Sequence, residues 1–224
     1  MHRNFRNLIK PRGLVVDRDS LTPFYGKFIA EPLERGYGHT LGNSLRRILL
    51  GSLHGYAITS CRIKGALHEF TALENVVEDV TDIVLNLKEV RLRLDGNHET
   101  RTLRVNCEGP CVVTAADLKG DSSVVILNPD HVICHVADGG TFEGEFMVTV
   151  GKGYMPATEM QNDKAPVGTI VIDALYSPVS KVNFAVNHAR VGQRTDYDKL
   201  VLEVWCDGTV GPEDSVGIAA KILK

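Results

Sequence analysis

The sequence predicts an α+β fold in which a mostly-β subdomain is inserted into a discontinuous subdomain of one sheet and two helices. Three observations support this prediction. Apolar residues recur with helical spacing near the start of the chain and again at its end, short strand patterns divided by turn residues fill residues 90–150, and longer strand patterns return after residue 169. We therefore expect residues 1–51 and 178–224 to form one subdomain and residues 52–177 to form the inserted one.

The stretch of residues 31–53 organises the first subdomain, because it reads as a strand end, a glycine-rich turn and a helix. Thr40 is the predicted N-cap, since its hydroxyl can accept a hydrogen bond from a free amide of the first turn. At about 100° per residue, Leu50 is predicted to lie roughly opposite the apolar face of the helix, beside Arg46 and Arg47. That apolar face is formed by Leu41, Leu45, Ile48 and Leu49.

Two interpretations of the outward-facing leucine stay open. A single exposed leucine on a solvated helix is common in folded proteins. Alternatively, the helix packs on its own sheet with one face and on another protein with the opposite face. Arginine beside a large apolar side chain suits the second interpretation, because it buries an aliphatic stem and keeps a planar set of hydrogen-bond donors.

The glycines at positions 36, 38 and 42 raise the alternative of a dinucleotide-dependent enzyme, because a strand, glycines and a helix also form the phosphate-binding turn of such enzymes. The spacing here is one residue longer than the usual fingerprint. The acidic residue expected about 20 positions later is also absent, since residues 56–64 contain none. This alternative is therefore the less favoured one.

The remaining elements follow from the same kinds of pattern. Residues 1–12 form a basic, polar arm that we expect to become ordered only against something else. A second helix is predicted over residues 73–87, with Lys88 at its C-terminus, and a last helix is predicted to start at Pro212. A surface loop is predicted at 155–167. Strands are predicted at 24–30, 56–64, 90–94, 102–107, 124–127, 131–136, 145–150, 169–175, 181–191 and 200–206.

Composition excludes several classes of protein. The chain has 224 residues, of which 43% are hydrophobic, and this is enough for a substantial core. A formal net charge of −3 argues against a wide nucleic-acid-binding surface. The five cysteines lack the spacing of a secreted disulfide framework, and no apolar run is long enough for a membrane helix. A reduced, cytoplasmic protein that binds no membrane is the expectation.

Cysteines and histidines offer one candidate metal site, a zinc site in a β-rich binding module. Its possible ligands are Cys107, Cys111, His131, Cys134 and His135. The spacing is loose, and a strand would point Cys134 away from both histidines. We therefore favour cysteines that serve as small core residues. No catalytic constellation is recognisable, and His39 is more simply a turn residue than a base.

Five stretches together resemble one known family over nearly the whole chain. They are LERGYGHTLGNSLRRILL at 33–50, HEFTALENVVEDVTDIVLNLK at 68–88, PDHVICHV at 129–136, DALYSPVSKVNFAV at 173–186 and ARVGQRTDYDKLVLE at 189–203. In family order, they are very similar to the amino-terminal domain of the bacterial DNA-directed RNA polymerase alpha subunit. This sequence departs from the family pattern at Asn75, where a glycine is usual, and at Gly192, where a glutamate is frequent.

The resemblance implies an assembly scaffold without catalytic, cofactor or metal residues of its own. Two copies would dimerise through the first and last helices and recruit the beta and beta-prime subunits, which hold magnesium and zinc and perform nucleotidyl transfer. A carboxy-terminal DNA-binding domain of the family is absent here, so no direct nucleic-acid contact is expected. The cytoplasmic protein would act in association with the nucleoid.

Site residues are expected on two surfaces. The expected dimer interface follows from the apolar faces of the first and last helices together with the resemblance. It contains Leu41, Leu45, Ile48, Leu49, Leu53, Val216, Ala220 and Leu223. The resemblance implies a surface for docking the large subunits that contains Arg46, Arg47, Leu50, Lys88, Ser177, Pro178, Arg190, Arg194, Asp196 and Lys199. For the charged segment from 190 to 199, a solvated loop is the simpler alternative from the residues alone.

Overall fold

The computed structural model describes residues 9, 11, 13–96, 99–161, 165–191 and 194–224, without the side chain of Arg194. The predicted arm at 1–12 and the departure at Gly192 therefore lie outside the described residues, apart from Ile9 and Pro11. The α+β fold class is confirmed, since strands outnumber helices among the described elements.

The described part of the chain contains four α-helices and fourteen strands. The helices are α1 (Tyr37–Gly51), α2 (Val80–Lys88), α3 (Ala157–Met160) and α4 (Pro212–Leu223). The strands are β1 (Val15–Val16), β2 (Tyr25–Leu33), β3 (His54–Ile63), β4 (Leu92–Leu94), β5 (Thr100–Glu108), β6 (Cys111–Thr114), β7 (Val124–Ile126), β8 (Val132–Val136), β9 (Thr141–Lys152), β10 (Tyr154–Met155), β11 (Ile170–Val171), β12 (Ala174–Leu175), β13 (Val179–Val191) and β14 (Arg194–Cys206).

These elements form two compact units. The first unit runs to Leu53 and resumes from Ser177 to Lys224, and the inserted unit is His54–Tyr176. In the first unit, an antiparallel sheet has the strand order β1-β2-β14-β13. Helices α1 and α4 pack against each other and against strands of this sheet. The core between them contains Phe28, Leu45, Leu49, Leu53, Val179, Val182, Leu202, Val204, Cys206, Val216 and Ala219.

Two glycines of α1 face the sheet at the closest point of contact. A Cβ atom on Gly42 would lie 2.5 Å from the Phe184 ring, and one on Gly38 would lie 2.7 Å from Val186. Only hydrogen fits in these places, so the backbone of α1 approaches β13 more closely than any larger residue would permit.

This close contact corrects the predicted orientation of α1. The buried residues of the helix are Gly38, Gly42, Leu45 and Leu49. At about 100° per residue, the centre of this set is rotated by about 45° from the predicted stripe. Leu50 therefore does not lie opposite the core. It is half-buried and packs against the core of the first unit.

The start of α1 also differs from the prediction. The helix begins at Tyr37, and its N-cap residue is Gly36 with φ 87°, a left-handed conformation that glycine adopts without strain. Thr40 lies inside the first turn, where its hydroxyl donates to the carbonyl oxygen of Gly36 at 3.3 Å. The prediction that Thr40 caps the helix was wrong, because Gly36 occupies the N-cap position and the helix begins at the next residue.

The inserted unit contains a four-stranded antiparallel sheet with the strand order β11-β3-β9-β5 and three two-stranded ladders, β10-β12, β4-β7 and β6-β8. Alternate residues of the long strands point into one core, which α2 covers. The largest fully buried side chains there are Phe142, Phe146, Ile83, Leu87, Leu92, Leu103, Ile133 and Ile172.

Helix α2 is shorter than the predicted helix over residues 73–87. It begins at Val80, because the Asp79 side chain accepts a hydrogen bond from the Asp82 amide at 2.9 Å and caps the first turn. Upstream, Asn75 has φ 58°, which breaks a helix and which asparagine tolerates. Residues 73–79 are therefore not helical, although their apolar residues continue the helical spacing of α2.

Gly42→Ala should destabilise the first unit by about 1–3 kcal/mol, because the added methyl group overlaps the ring of Phe184. Gly51→Ala is the matched control in the same helix, since nothing lies within 4 Å of a Cβ there. It should stabilise the helix by up to about 1 kcal/mol. Denaturant unfolding of the three proteins measures the difference. Equal stabilities would show that Phe184 does not hold α1 in this position.

Candidate docking and dimerisation surfaces

Asp198 anchors the beginning of α1. One carboxylate oxygen of Asp198 accepts hydrogen bonds from the Gly36 amide at 2.8 Å and from the Gly38 amide at 3.0 Å. Asp198 lies in β14 opposite Leu33 and is only 8% exposed. A buried negative charge at a helix N-terminus is favourable, because the free amides and the helix dipole are positive there. The helix that carries the candidate site is therefore fixed to the sheet at this end.

Sequence reasoning missed Asp198, although it lies inside the charged segment that was considered. The residue shares the inward face of β14 with Leu200 and Leu202, both of which are buried. An aspartate in phase with two core leucines is a signal for a buried, hydrogen-bonded carboxylate. Asp196, the aspartate that was chosen instead, is exposed.

The outer side of α1 carries the two arginines of the docking prediction. Arg46 and Arg47 are both exposed. Arg47 lies about 170° from the centre of the buried face, so it points directly outward. The third predicted member, Leu50, presents only part of its side chain, because the rest contacts the core.

The remaining docking candidates of the first unit lie on β13, on β14 and just before them. Pro178 is buried, and the Ser177 hydroxyl donates to the Val179 carbonyl oxygen at 3.0 Å, so these two residues shape the entry into β13. Lys199 forms an ion pair with Glu31 at 3.1 Å. Arg190 and Asp196 are exposed, and the side chain of Arg194 lies outside the described part of the chain.

Lys88 belongs to the inserted unit. Its Nζ atom lies 3.2 Å from an Asp173 carboxylate oxygen, and the other oxygen accepts from the Ala157 amide at 2.8 Å. The hydrogen bond from the Ala157 amide, followed by that from Lys88, holds the pKa of Asp173 below its usual value. Around this pair, exposed apolar side chains that were not predicted reach the surface: Leu85, Tyr154 and Leu175.

The predicted dimer residues divide into two groups. Leu45, Leu49, Leu53 and Val216 are buried in the core of the first unit, so their side chains are occupied within one chain. Leu41 and Ile48 are half-buried, and Ala220 and Leu223 are exposed. Sequence reasoning missed two further residues on α4, Ile218 and Ile222, which are 42% and 50% exposed. They lie four residues apart on one side of the helix.

The candidate zinc ligands have other partners. His131 Nε2 lies 2.9 Å from the Asn86 carbonyl oxygen, and His135 Nδ1 lies 2.6 Å from a Glu78 carboxylate oxygen. Burial raises the pKa of Glu78, but hydrogen bonds from His135 lower it more, so the net shift is downward. Cys134 is buried on the opposite face of β8. Among the residues that the structure describes, no group of side chains could hold a metal ion.

The glycine turn differs from a nucleotide-binding turn in the use of its amides. In a phosphate-binding turn, free amides at the helix N-terminus face the ligand. Here the amides of Gly36 and Gly38 donate to Asp198, and a carboxylate in this place would repel a phosphate. His39, the other candidate for chemistry near this turn, is exposed and packs edge-on to the Phe184 ring at 6.3 Å.

Comparison with known proteins agrees with this fold of a discontinuous unit and a β-rich insert. The family model described as the RNA polymerase Rpb3/RpoA insert domain matches residues 61–177. The match covers more than half of the chain, and the chain therefore belongs to this family.

Three relatives are similar over the whole of this chain, and all three are named DNA-directed RNA polymerase subunit alpha. They come from Geobacter metallireducens at 57% identity, Pelobacter propionicus at 54% and Syntrophus aciditrophicus at 52%. The chain spans 66%, 66% and 65% of the lengths of these relatives. The resemblance seen in the sequence is confirmed. In the described part of the chain, no helix is long and apolar enough to cross a membrane.

Asp198→Asn should lower the free energy of unfolding by about 1–3 kcal/mol, because it removes the charge that accepts hydrogen bonds from the Gly36 and Gly38 amides. Asp196→Asn is the matched control two residues away, and as an exposed change it should stay within about 0.5 kcal/mol. Denaturant unfolding at neutral pH compares them. If the two variants unfold together, the carboxylate does not anchor α1.

Proposed function

We propose that this chain is the assembly scaffold of a bacterial DNA-directed RNA polymerase, a subunit of the nucleotidyltransferase complex that performs no chemistry itself. The observation that carries the proposal is the similarity to three alpha subunits. Each is 52–57% identical to this chain, and each alignment covers the whole of it. The arrangement of the first unit supports it, because its first helix is anchored at one end and presents arginines outward. Such a complex would act in the cytoplasm, in association with the nucleoid.

The first part of the proposal is a homodimer formed by the two helices of the first unit. On α4, Ile218, Ile222 and Leu223 are 42%, 50% and 39% exposed, although isoleucine and leucine are favoured inside. A second copy related by a two-fold axis would cover these side chains with the same surface of its own. Leu41 and Ile48 extend the apolar surface along α1, and an interface of this type would bury about 1,600 Å² in total.

The second part concerns the large subunits. We propose that Arg47 anchors the contact with the beta subunit, because it points away from the core of its own unit. Its guanidinium can bind a carboxylate with two parallel hydrogen bonds. Arg46 and the exposed part of Leu50 would complete this contact, and the candidates on β13 and β14 would enlarge it.

A further docking contact is proposed around Lys88 in the inserted unit. Asp173 links Lys88 at the end of α2 to the beginning of α3. On the β10-β12 ladder, Tyr154 and Leu175 are directly opposite each other and both exposed. Exposed apolar side chains beside a lysine that is fixed by an ion pair are more typical of the centre of a protein interface than of a solvated surface.

The dimer is tested by replacing Ile218 and Ile222 together with aspartate, which should convert a dimer into a monomer while the fold persists. Val167→Asp is the control, because Val167 is also an exposed, β-branched apolar side chain but lies in the inserted unit. Sedimentation at micromolar concentration gives the masses, and circular dichroism reports the fold. A monomeric parent protein, or a double variant that remains dimeric, would contradict the proposed interface.

Arg47→Ala should weaken binding of the beta subunit about thirtyfold, equivalent to about 2 kcal/mol, and leave the melting temperature unchanged. Arg18→Ala removes another exposed arginine of the same unit and should bind normally. Leu50→Ala is a less clean test than Arg47→Ala, because Leu50 also contacts the core and its loss lowers stability.

Quantitative pull-downs with beta and with beta-prime, run beside thermal melts, measure these effects. Lys88→Ala belongs in the same series, since the loss of one half-exposed ion pair should cost less than about 1 kcal/mol of stability. If Arg47→Ala captures beta normally, α1 is not part of the docking surface. If Lys88→Ala captures both large subunits normally, the region around Lys88 is not a docking contact.

A further inference from the structure

Strand β13 forms one end of the four-stranded sheet of the first unit. The strand order is β1-β2-β14-β13, so β13 is bonded to β14 on one side and to no described strand on the other. It runs for 13 residues, whereas β1 at the opposite end of the sheet has two. A long strand with one open side is a place where a strand of another protein can be added.

The hydrogen bonds at the end of β14 show which of its residues bond to β13. Residues of an inner antiparallel strand bond alternately to its two neighbours. The Cys206 amide donates to the carbonyl oxygen of Phe24, just before β2, at 2.8 Å. The Asp207 amide donates to the carbonyl oxygen of Pro178, just before β13, at 2.9 Å. The odd-numbered residues of β14 therefore bond to β13.

The same alternation can be followed along β13, because its register with β14 is regular from Lys181 to Ala189. Three residues lie opposite odd-numbered residues of β14 and bond to them: Asn183, Ala185 and Asn187. The residues that follow each of these direct their N–H and C=O groups away from β14: Phe184, Val186 and His188. We call the outward backbone groups of these last three residues the open edge.

The sheet of the inserted unit shows how such an edge is closed. Its last strand, β5, exchanges two backbone hydrogen bonds of 2.7 Å with Lys119, one through the Arg104 amide and one through the Arg104 carbonyl oxygen. Its first strand, β11, has only two residues. Within the described part of the chain, no backbone hydrogen bond reaches the open edge of β13.

Side chains next to the open edge offer an apolar surface on the side of α1. Phe184 and Val186 face the two close-packed glycines of the helix, but both side chains remain half-buried. An added strand would place every second side chain on this side of the sheet. Apolar residues at those positions would cover the exposed parts of Phe184 and Val186.

The charges of β13 indicate what the opposite side of an added strand should carry. The strand contains Lys181, His188 and Arg190 but no acidic residue. Lys181 is fixed on the face away from α1, since its ammonium group lies 4.6 Å from the centre of the Trp205 ring. Acidic side chains on that face of a partner segment would complement β13.

We propose that β13 accepts an extended segment of one of the large subunits as a further strand of its sheet. The backbone of this segment bonds to the open edge, its apolar side chains face α1, and its acidic side chains lie on the opposite face. The inference rests on the proposed function and specifies how one part of the partner is held. It differs from the contact through Arg47, because recognition of a backbone requires an extended segment rather than one particular side chain.

Hydrogen exchange of single backbone amides tests the proposal. The protein is exchanged alone, with purified beta and with purified beta-prime, and the amides are read by NMR after quenching and transfer to an aprotic solvent. Alone, the amides of Phe184, Val186 and His188 should exchange faster than that of Ala185, which bonds to Val201 in β14. In one of the complexes, exchange at the open edge should slow by about tenfold or more.

The outcomes separate this inference from the proposed function. If neither large subunit binds the parent protein, the proposed function fails and the inference fails with it. If a large subunit binds but the open edge exchanges equally fast in both complexes, only the strand addition is wrong. Slow exchange at the open edge in the protein alone would also overturn it, because a second copy or another part of the chain would then occupy the edge.

Two substitutions of Ala185 form a matched pair of opposite charge. Ala185 is exposed in the middle of β13, so neither variant should change the melting temperature. Ala185→Glu places a negative charge beside the acidic face of the added strand and should weaken binding of that large subunit about tenfold. Ala185→Lys should bind as tightly as the parent or more tightly. Equal binding by the two variants would overturn the proposed acidic segment.

Discussion

The carboxylate of Asp198 at the N-terminus of α1 is the interaction on which the first unit depends. It joins the third strand of the sheet to the helix that carries most of the candidate surfaces, and it accepts hydrogen bonds from two amides of the helix start, of which the Gly38 amide is buried. Because Gly36 is left-handed, both amides point at the same oxygen. The direction of α1, and hence the outward position of Arg47, follows from this anchor together with the two glycines that touch β13.

An anchored helix would suit the proposed scaffold, which other subunits would have to recognise. A contact through arginine and half-exposed leucine gains affinity when these side chains are already held in the bound geometry. The Lys88–Asp173 pair provides similar order in the inserted unit, where one carboxylate connects the ends of two helices. In each unit, the ordering groups are buried or shared carboxylates, while the groups proposed to meet partners are cations and apolar side chains.

The cysteines illustrate how position rather than composition decides the chemistry of a side chain. Cys61, Cys134 and Cys206 are enclosed by apolar neighbours, where burial raises the pKa of each thiol and makes it a small hydrophobic residue. Cys107 also lies in a strand, but it is only half-buried and lines an open cleft. The spacing of possible metal ligands grouped Cys107, Cys111 and Cys134 together, whereas the fold buries Cys134 and leaves Cys107 and Cys111 half-buried.

The sequence by itself determined the fold class, the type of nearly every long element and the family, because these depend on periodicity and on motifs that extend over many residues. It did not determine where α1 starts, which way that helix faces, or that residues 73–79 are not helical. Patterns of large apolar residues point to a helical face centred between Leu41 and Leu49. The tertiary structure centres it on Gly38 and Gly42 instead, since contact with Phe184 and Val186 rewards the smallest side chains. The preference for glycine arises only when the helix and the strand are packed together. It therefore cannot be predicted from the sequence of either segment alone.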